Sequence, residues 1–66
     1  MTITINGEAR PFASGSSVAD LLSALGLVTG KVAVELNREI VVRSTYAETA
    51  LQDGDVLEIV HFIGGG

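Results

Sequence analysis

Residues 17–27, SVADLLSALGL, decide how this chain folds. Val18, Leu21, Leu22 and Leu25 recur at i, i+3, i+4 and i+7, which places them on one apolar stripe of an α-helix. Ser17 is an N-cap candidate: its hydroxyl can accept from a backbone N–H of the first turn. Asp20, three residues on, suits the positive end of the helix. Gly26 supplies the left-handed residue that ends such a helix, and Leu27 can fold back over the last turn as in a Schellman motif. A helix with one apolar face needs a second layer to cover it, so the flanking segments must provide a sheet.

Upstream, Thr2-Ile3-Thr4-Ile5 alternates polar and apolar with the period of a half-buried strand. Asn6-Gly7 is a two-residue hairpin signal, because both positions tolerate positive φ. Glu8 to Ala13 is the returning strand, with Ala9 and Phe12 as its apolar contacts. Pro11 cannot donate to a ladder and puts that strand at an edge or on a bulge. Gly15-Ser16-Ser17 breaks it before the helix.

Downstream, Val32 to Leu36 is a third strand, Asn37-Arg38 its turn, and Ile40 to Arg43 the antiparallel return. Ser44 to Leu51 is short and mixed and predicts one turn of helix, with Tyr46 packed beneath it. Asp53-Gly54-Asp55 is a tight turn, and Val56 to Ile63 is the last strand. A helical crossover between two hairpins places the first and last strands side by side, in parallel, at the centre of the sheet. The expected fold is α+β: a mixed sheet of four to five strands with one main helix on one face, the β-grasp (ubiquitin-like) arrangement. Residues 1–63 form the domain and 64–66 a glycine tail.

The 66 residues leave room for one domain, and with no cysteine neither a disulfide nor a thiolate metal site can reinforce it. Val, Ile and Leu must carry the core. Met1 leads straight into TITI without a basic or apolar leader, and no apolar run approaches the roughly 18 residues of a membrane span. The cytoplasm is the expected address and no membrane partner is expected. The net charge of −4 argues against nucleic acid, whose phosphates would repel this surface, and is compatible with a basic protein partner.

Alternation fixes which side chains leave the core. With Glu58 facing water, Val56, Val60 and Phe62 share its face, while Leu57 and Ile59 point to the helix. Glu35 faces out in the third strand, and Val32, Val34 and Leu36 face in. A two-residue Asn37-Arg38 turn sets Glu35 opposite Ile40, so Ile40 and Val42 also face out. Phe62, Val60, Ile40 and Val42 then make an apolar patch at the base of the tail, suited to docking a protein.

Beyond Ile63 come Gly64, Gly65 and Gly66. In extended form three residues reach roughly 10 Å. Lacking Cβ atoms, they can enter a slot closed to any other residue. The one functional group there is the Gly66 carboxylate, ionised at neutral pH. A carboxylate is a poor acyl electrophile but a good nucleophile toward the α-phosphate of ATP, so this terminus is suited to activation and loading by another protein. The chain has no nucleotide-binding loop and no catalytic cluster of its own.

The segments TITINGEARPF (2–12) and VAVELNREIVVRSTYAETALQDGDVLEIVHFIGGG (32–66) resemble the thiamine-biosynthesis sulfur carriers of the ThiS/MoaD ubiquitin-like family. The likeness covers nearly the whole chain and is strongest from Val32. One departure is Arg43-Ser44 after Val42, where that family usually carries a proline, a difference that bears on the bend after the fourth strand. The resemblance implies a co-substrate rather than an enzyme. An E1-like adenylyltransferase would activate Gly66 with ATP. A persulfide-bearing sulfur donor would then convert it to a thiocarboxylate, and thiazole synthase would take the sulfur. Gly64 and Gly65 would thread the partner active sites, with Phe62, Val60, Ile40 and Val42 docking against them. No bound cofactor or metal is implied.

Three alternatives stay open on the sequence. A molybdopterin synthase small subunit, or a carrier for another sulfur metabolite, would use the same thiocarboxylate. A ubiquitin-like modifier would use its terminus for isopeptide bonds, although Lys31 as the one lysine makes chain-building improbable. A plain binding module would not need the tail. His61 stands alone without a partner in ligand spacing and is expected at the surface or an edge. Asp53 and Asp55 are expected as turn formers around Gly54, and Arg38 and Arg43 as solvated strand-end charges.

Overall fold

The computed structural model describes residues 1–27 and 31–62. Strand β1 (Thr2–Ile5) returns as β2 (Glu8–Pro11), helix α1 (Val18–Ala24) crosses over, and β3 (Val32–Leu36) pairs with β4 (Glu39–Ile40). A 3₁₀ segment (Arg43–Glu48) then leads to β5 (Val56–His61). The sheet order is β2-β1-β5-β3-β4, so the last strand lies at the centre. It runs parallel to β1 through Thr4↔Val56 and Ile5↔Leu57, and antiparallel to β3 from Val32↔His61 to Leu36↔Leu57. This is the expected β-grasp arrangement with five strands.

Helix α1 has both expected ends. The Ser17 side chain accepts from the Asp20 N–H at 3.1 Å, and Asp20 Oδ2 accepts from the Ser17 N–H at 2.9 Å, a reciprocal capping box. At the other end Gly26 has φ +74°; its N–H donates to Ser23 O at 3.1 Å and the Leu27 N–H to Leu22 O at 2.8 Å. That pair of bonds is the Schellman motif. Val18, Leu21 and Leu22 are buried against Ile3, Ile5, Val32, Val34, Leu57 and Ile59 of the sheet, with Leu51 closing the core.

Both hairpins turn on two residues with positive φ: Asn6 (50°) with Gly7 (86°), and Asn37 (50°) with Arg38 (72°). These are the values of the type I′ turn, whose twist matches that of the strands it joins. Three strand limits differ from expectation. β2 stops at Pro11, on the outer edge of the sheet; the Phe12 N–H still bonds Met1 O at 2.8 Å, and the Ser16 hydroxyl then donates to the Ala13 carbonyl at 2.7 Å in the turn before the helix. Ala9 is exposed rather than packed, whereas Phe12 does pack on the core. β4 spans two residues, not Ile40 to Arg43. The Val41 N–H still bonds Val34 O at 2.9 Å, but the Val42 carbonyl is taken by the N–H (2.8 Å) and hydroxyl (2.7 Å) of Thr45, which start the 3₁₀ segment. β5 ends at His61, Phe62 follows it, and Ile63 lies outside the described residues.

The long return between β4 and β5 is tied to the start of α1. Val18 N–H donates to Thr49 O at 2.9 Å and Leu51 N–H to Ser16 O at 2.8 Å, around a bridge between Ser17 and Ala50. Tyr46 packs on the core from this segment. Among the described residues no helix is long and apolar enough to cross a membrane.

Candidate functional site

The central strand carries the site, and its alternation sorts core from surface. Leu57 and Ile59 are buried beneath the helix, while Val56, Glu58, Val60 and Phe62 are exposed. On the uncovered face Ile40 is 70% exposed, Val42 62%, Val60 59%, Val56 46% and Phe62 39%. A small protein places such side chains in water at a cost in apolar hydration.

The ladder places Val56, Val60 and Ile40 on a common face without making them one cluster. Val60 lies opposite Ala33, and Ile40 opposite Glu35. Strand β3 therefore stands between Val60 and Ile40. Val60 and Phe62 form the end of the face next to the chain terminus, and Ile40 and Val42 lie beyond β3. Between them runs a polar interruption the alternation also predicts: Glu35 and Glu58 are direct cross-strand partners, two carboxylates side by side. Like charges in that relation repel.

Two asparagines hold the central strand in place from either side. Asn6 uses its side-chain amide on the Ile59 backbone: Nδ2 donates to Ile59 O at 3.0 Å and Oδ1 accepts from the Ile59 N–H at 2.8 Å. Asn37 accepts from the Val56 N–H at 3.0 Å and donates to Asp55 Oδ1, also at 3.0 Å. Both residues are legible in the sequence as turn formers, but their grip on β5 is not, because it joins positions far apart in the chain. The acidic turn has the structural role expected of it. Asp53 Oδ1 accepts from the Thr2 N–H at 2.7 Å and Asp55 Oδ2 from the Gln52 N–H at 2.7 Å, around Gly54 at φ +88°. Among the described residues no group of acidic or histidine side chains could hold a metal ion.

His61 is exposed at the end of β5. Beside it, on the helix side of the sheet, a cleft of about 250 Å³ opens between Leu25 and Leu27 on one wall and Ile5 and Ile59 on the other, with Arg10 also lining it. Gly64, Gly65 and Gly66, expected to carry the chemistry, lie outside the described residues.

The chain matches the model of the ThiS family over residues 3–66. Across its whole length it is 56% identical to a thiazole synthase of Paramagnetospirillum magneticum and covers 20% of that protein. It is 48% identical over 50 residues to the sulfur carrier protein ThiS of Bacillus subtilis, covering 76% of each chain. The crystal structure of a thiamine biosynthesis protein (ThiS) from Geobacter metallireducens superposes with a TM-score of 0.85, at 39% identity and over 100% of both chains. The chain thus spans about a fifth of the thiazole synthase relative.

Proposed function

The chain belongs to the ThiS family, and from that premise we propose that it is a sulfur carrier for thiazole formation in thiamine biosynthesis. In this reading the protein is a co-substrate on which enzymes act. The Gly66 carboxylate attacks the α-phosphate of ATP in the site of an E1-like adenylyltransferase and releases pyrophosphate. A persulfide sulfur then displaces AMP from the acyl carbon. A second thiol takes the outer sulfur's partner as a disulfide, which leaves a Gly66 thiocarboxylate. Thiazole synthase consumes that sulfur. The carrier supplies no nucleotide site and no bound cofactor; ATP belongs to the adenylating partner.

The observation that carries the proposal is the family match through residue 66, joined to relatives that include both a sulfur carrier and a thiazole synthase. The geometry is compatible with the division of labour. Gly64 and Gly65 can pass through a narrow channel without side chains, while Phe62, Val60, Ile40 and Val42 on the uncovered face dock the partner.

Intact mass of the protein after incubation with ATP, its adenylating enzyme and a sulfur donor tests the reading. The expected result is a gain equal to one oxygen replaced by sulfur, located to Gly66. Unchanged mass, with the enzyme shown to be active, removes the carrier reading and favours a modifier or a binding module.

A further inference from the structure

Successive residues of β5 turn their backbone groups to opposite neighbours. Val56 and Phe62 face β3: Asn37 N–H donates to Val56 O at 2.7 Å and Phe62 N–H to Lys31 O at 3.1 Å. Leu57, Ile59 and His61 therefore face the β1 side. There the Asn6 N–H takes Leu57 O at 2.9 Å, and the Asn6 side chain takes both backbone groups of Ile59. At Asn6-Gly7 the chain turns into β2, so β1 ends before it can reach the next position. Among the described residues nothing pairs with the backbone of His61 on that side. The central strand thus outruns its parallel neighbour and presents one N–H and one C=O, already in extended conformation, at an open edge. The cleft beside His61 lies against this edge, with Leu25, Leu27, Ile5 and Ile59 as apolar walls.

We propose that an extended segment of thiazole synthase adds to the sheet at His61, pairing its backbone with this edge and placing an apolar side chain in the adjoining cleft. This rests on the carrier reading and names how that partner is held. Strand addition of this kind draws affinity from main-chain hydrogen bonds and specificity from the pocket alongside. A single open position also limits pairing with other chains, which a long bare edge would invite. Thiazole synthase is the occupant because a segment matching this whole chain is part of the thiazole synthase of Paramagnetospirillum magneticum.

Proline separates the backbone donor from the side chain. His61→Pro removes the N–H that faces the β1 side and leaves the β3 ladder intact, because His61 and Val32 turn their backbone groups away from each other. His61→Ala removes the imidazole and keeps the N–H. We expect His61→Ala to bind thiazole synthase as the natural protein does and His61→Pro to bind about five- to ten-fold more weakly, the effect of one hydrogen bond. A second measurement needs no variant: the His61 amide of the ¹⁵N-labelled protein should exchange with solvent more slowly once thiazole synthase is added. Equal binding by the two variants overturns the proposal, and so does unchanged exchange at His61 in the complex or no binding at all. Should His61→Pro not fold, the exchange measurement alone decides. A protein that gains sulfur at Gly66 yet fails these tests loses the edge contact and keeps its role as carrier.

Discussion

The side chain of Asn6 stands in for a strand that is not there: its amide donates to the carbonyl of Ile59 and accepts from the N–H of the same residue. A β1 that ran on past this point would make the same two bonds from the backbone of two of its residues. By using a side chain, the chain can turn at Asn6-Gly7 and still hold the central strand two residues beyond its parallel ladder. Removing the amide leaves both groups of a buried residue unsatisfied. Asn6→Gly is the clean variant, since glycine tolerates φ of 50° where alanine would add strain. We expect a loss of about 1–3 kcal/mol in urea unfolding. A change below a few tenths would mean that water replaces the amide at no cost.

Ser17→Ala removes one half of the capping box and should destabilise the protein by about 0.5–2 kcal/mol. Because Val18 and Leu51 also lace this end of the helix to the 3₁₀ return, the loss should appear as a lower midpoint without a separate early transition. Thermal unfolding followed by circular dichroism distinguishes the two.

Leu57 is fully enclosed, at 0% exposure, between the helix and the sheet. Leu57→Ala should cost about 2–5 kcal/mol through lost burial and the cavity left behind. A domain of this size has only about 3–10 kcal/mol in total. The variant should therefore be partly unfolded at 37 °C, which amide exchange across β3 and β5 would report. Native-like protection there would show that the core collapses to fill the gap.

Ile40 and Val60 test the uncovered face. Exchanging both for threonine keeps the β-branch and strand propensity while placing a hydroxyl where a partner would exclude water. Stability should stay within about 0.5 kcal/mol, whereas the KM for the carrier in the adenylation assay should rise about ten-fold, as expected for burying unpaired hydroxyls. If KM is unchanged, this face does not dock the adenylating enzyme.

Deleting Gly66 should abolish sulfur loading and leave the unfolding midpoint where it was, because no described core contact depends on it. Retained loading in the shortened protein would place the acceptor somewhere other than the terminus.

Several features were fully legible in the sequence because each depends on residues within a turn of one another. Ser17 with Asp20 and Gly26 with Leu27 set both ends of the helix. Asn6-Gly7 specifies a type I′ turn through its tolerance of positive φ, and Asn37-Arg38 reads as a turn, although its type, with Arg38 at φ 72°, does not follow from an arginine's preferences. The alternation from Val56 to Phe62 separates Leu57 and Ile59 from the exposed face, and with the crossover helix it determines a sheet whose first and last strands are neighbours.

The tertiary structure alone decided the rest. The Asn6 side chain meets Ile59 across 53 positions, and Asn37 meets Val56 across 19; no local propensity encodes such contacts, because they exist only once the strands have assembled. β4 stops at Ile40 because Thr45 draws the Val42 carbonyl into the 3₁₀ segment and turns the chain off the sheet, a bend that a strand pattern does not encode. The same assembly leaves β3 between Ile40 and Val60 and sets Glu35 beside Glu58. It also ends β1 opposite Leu57, four positions short of His61. An open edge is a relation between the lengths of two strands, and only their pairing makes it visible.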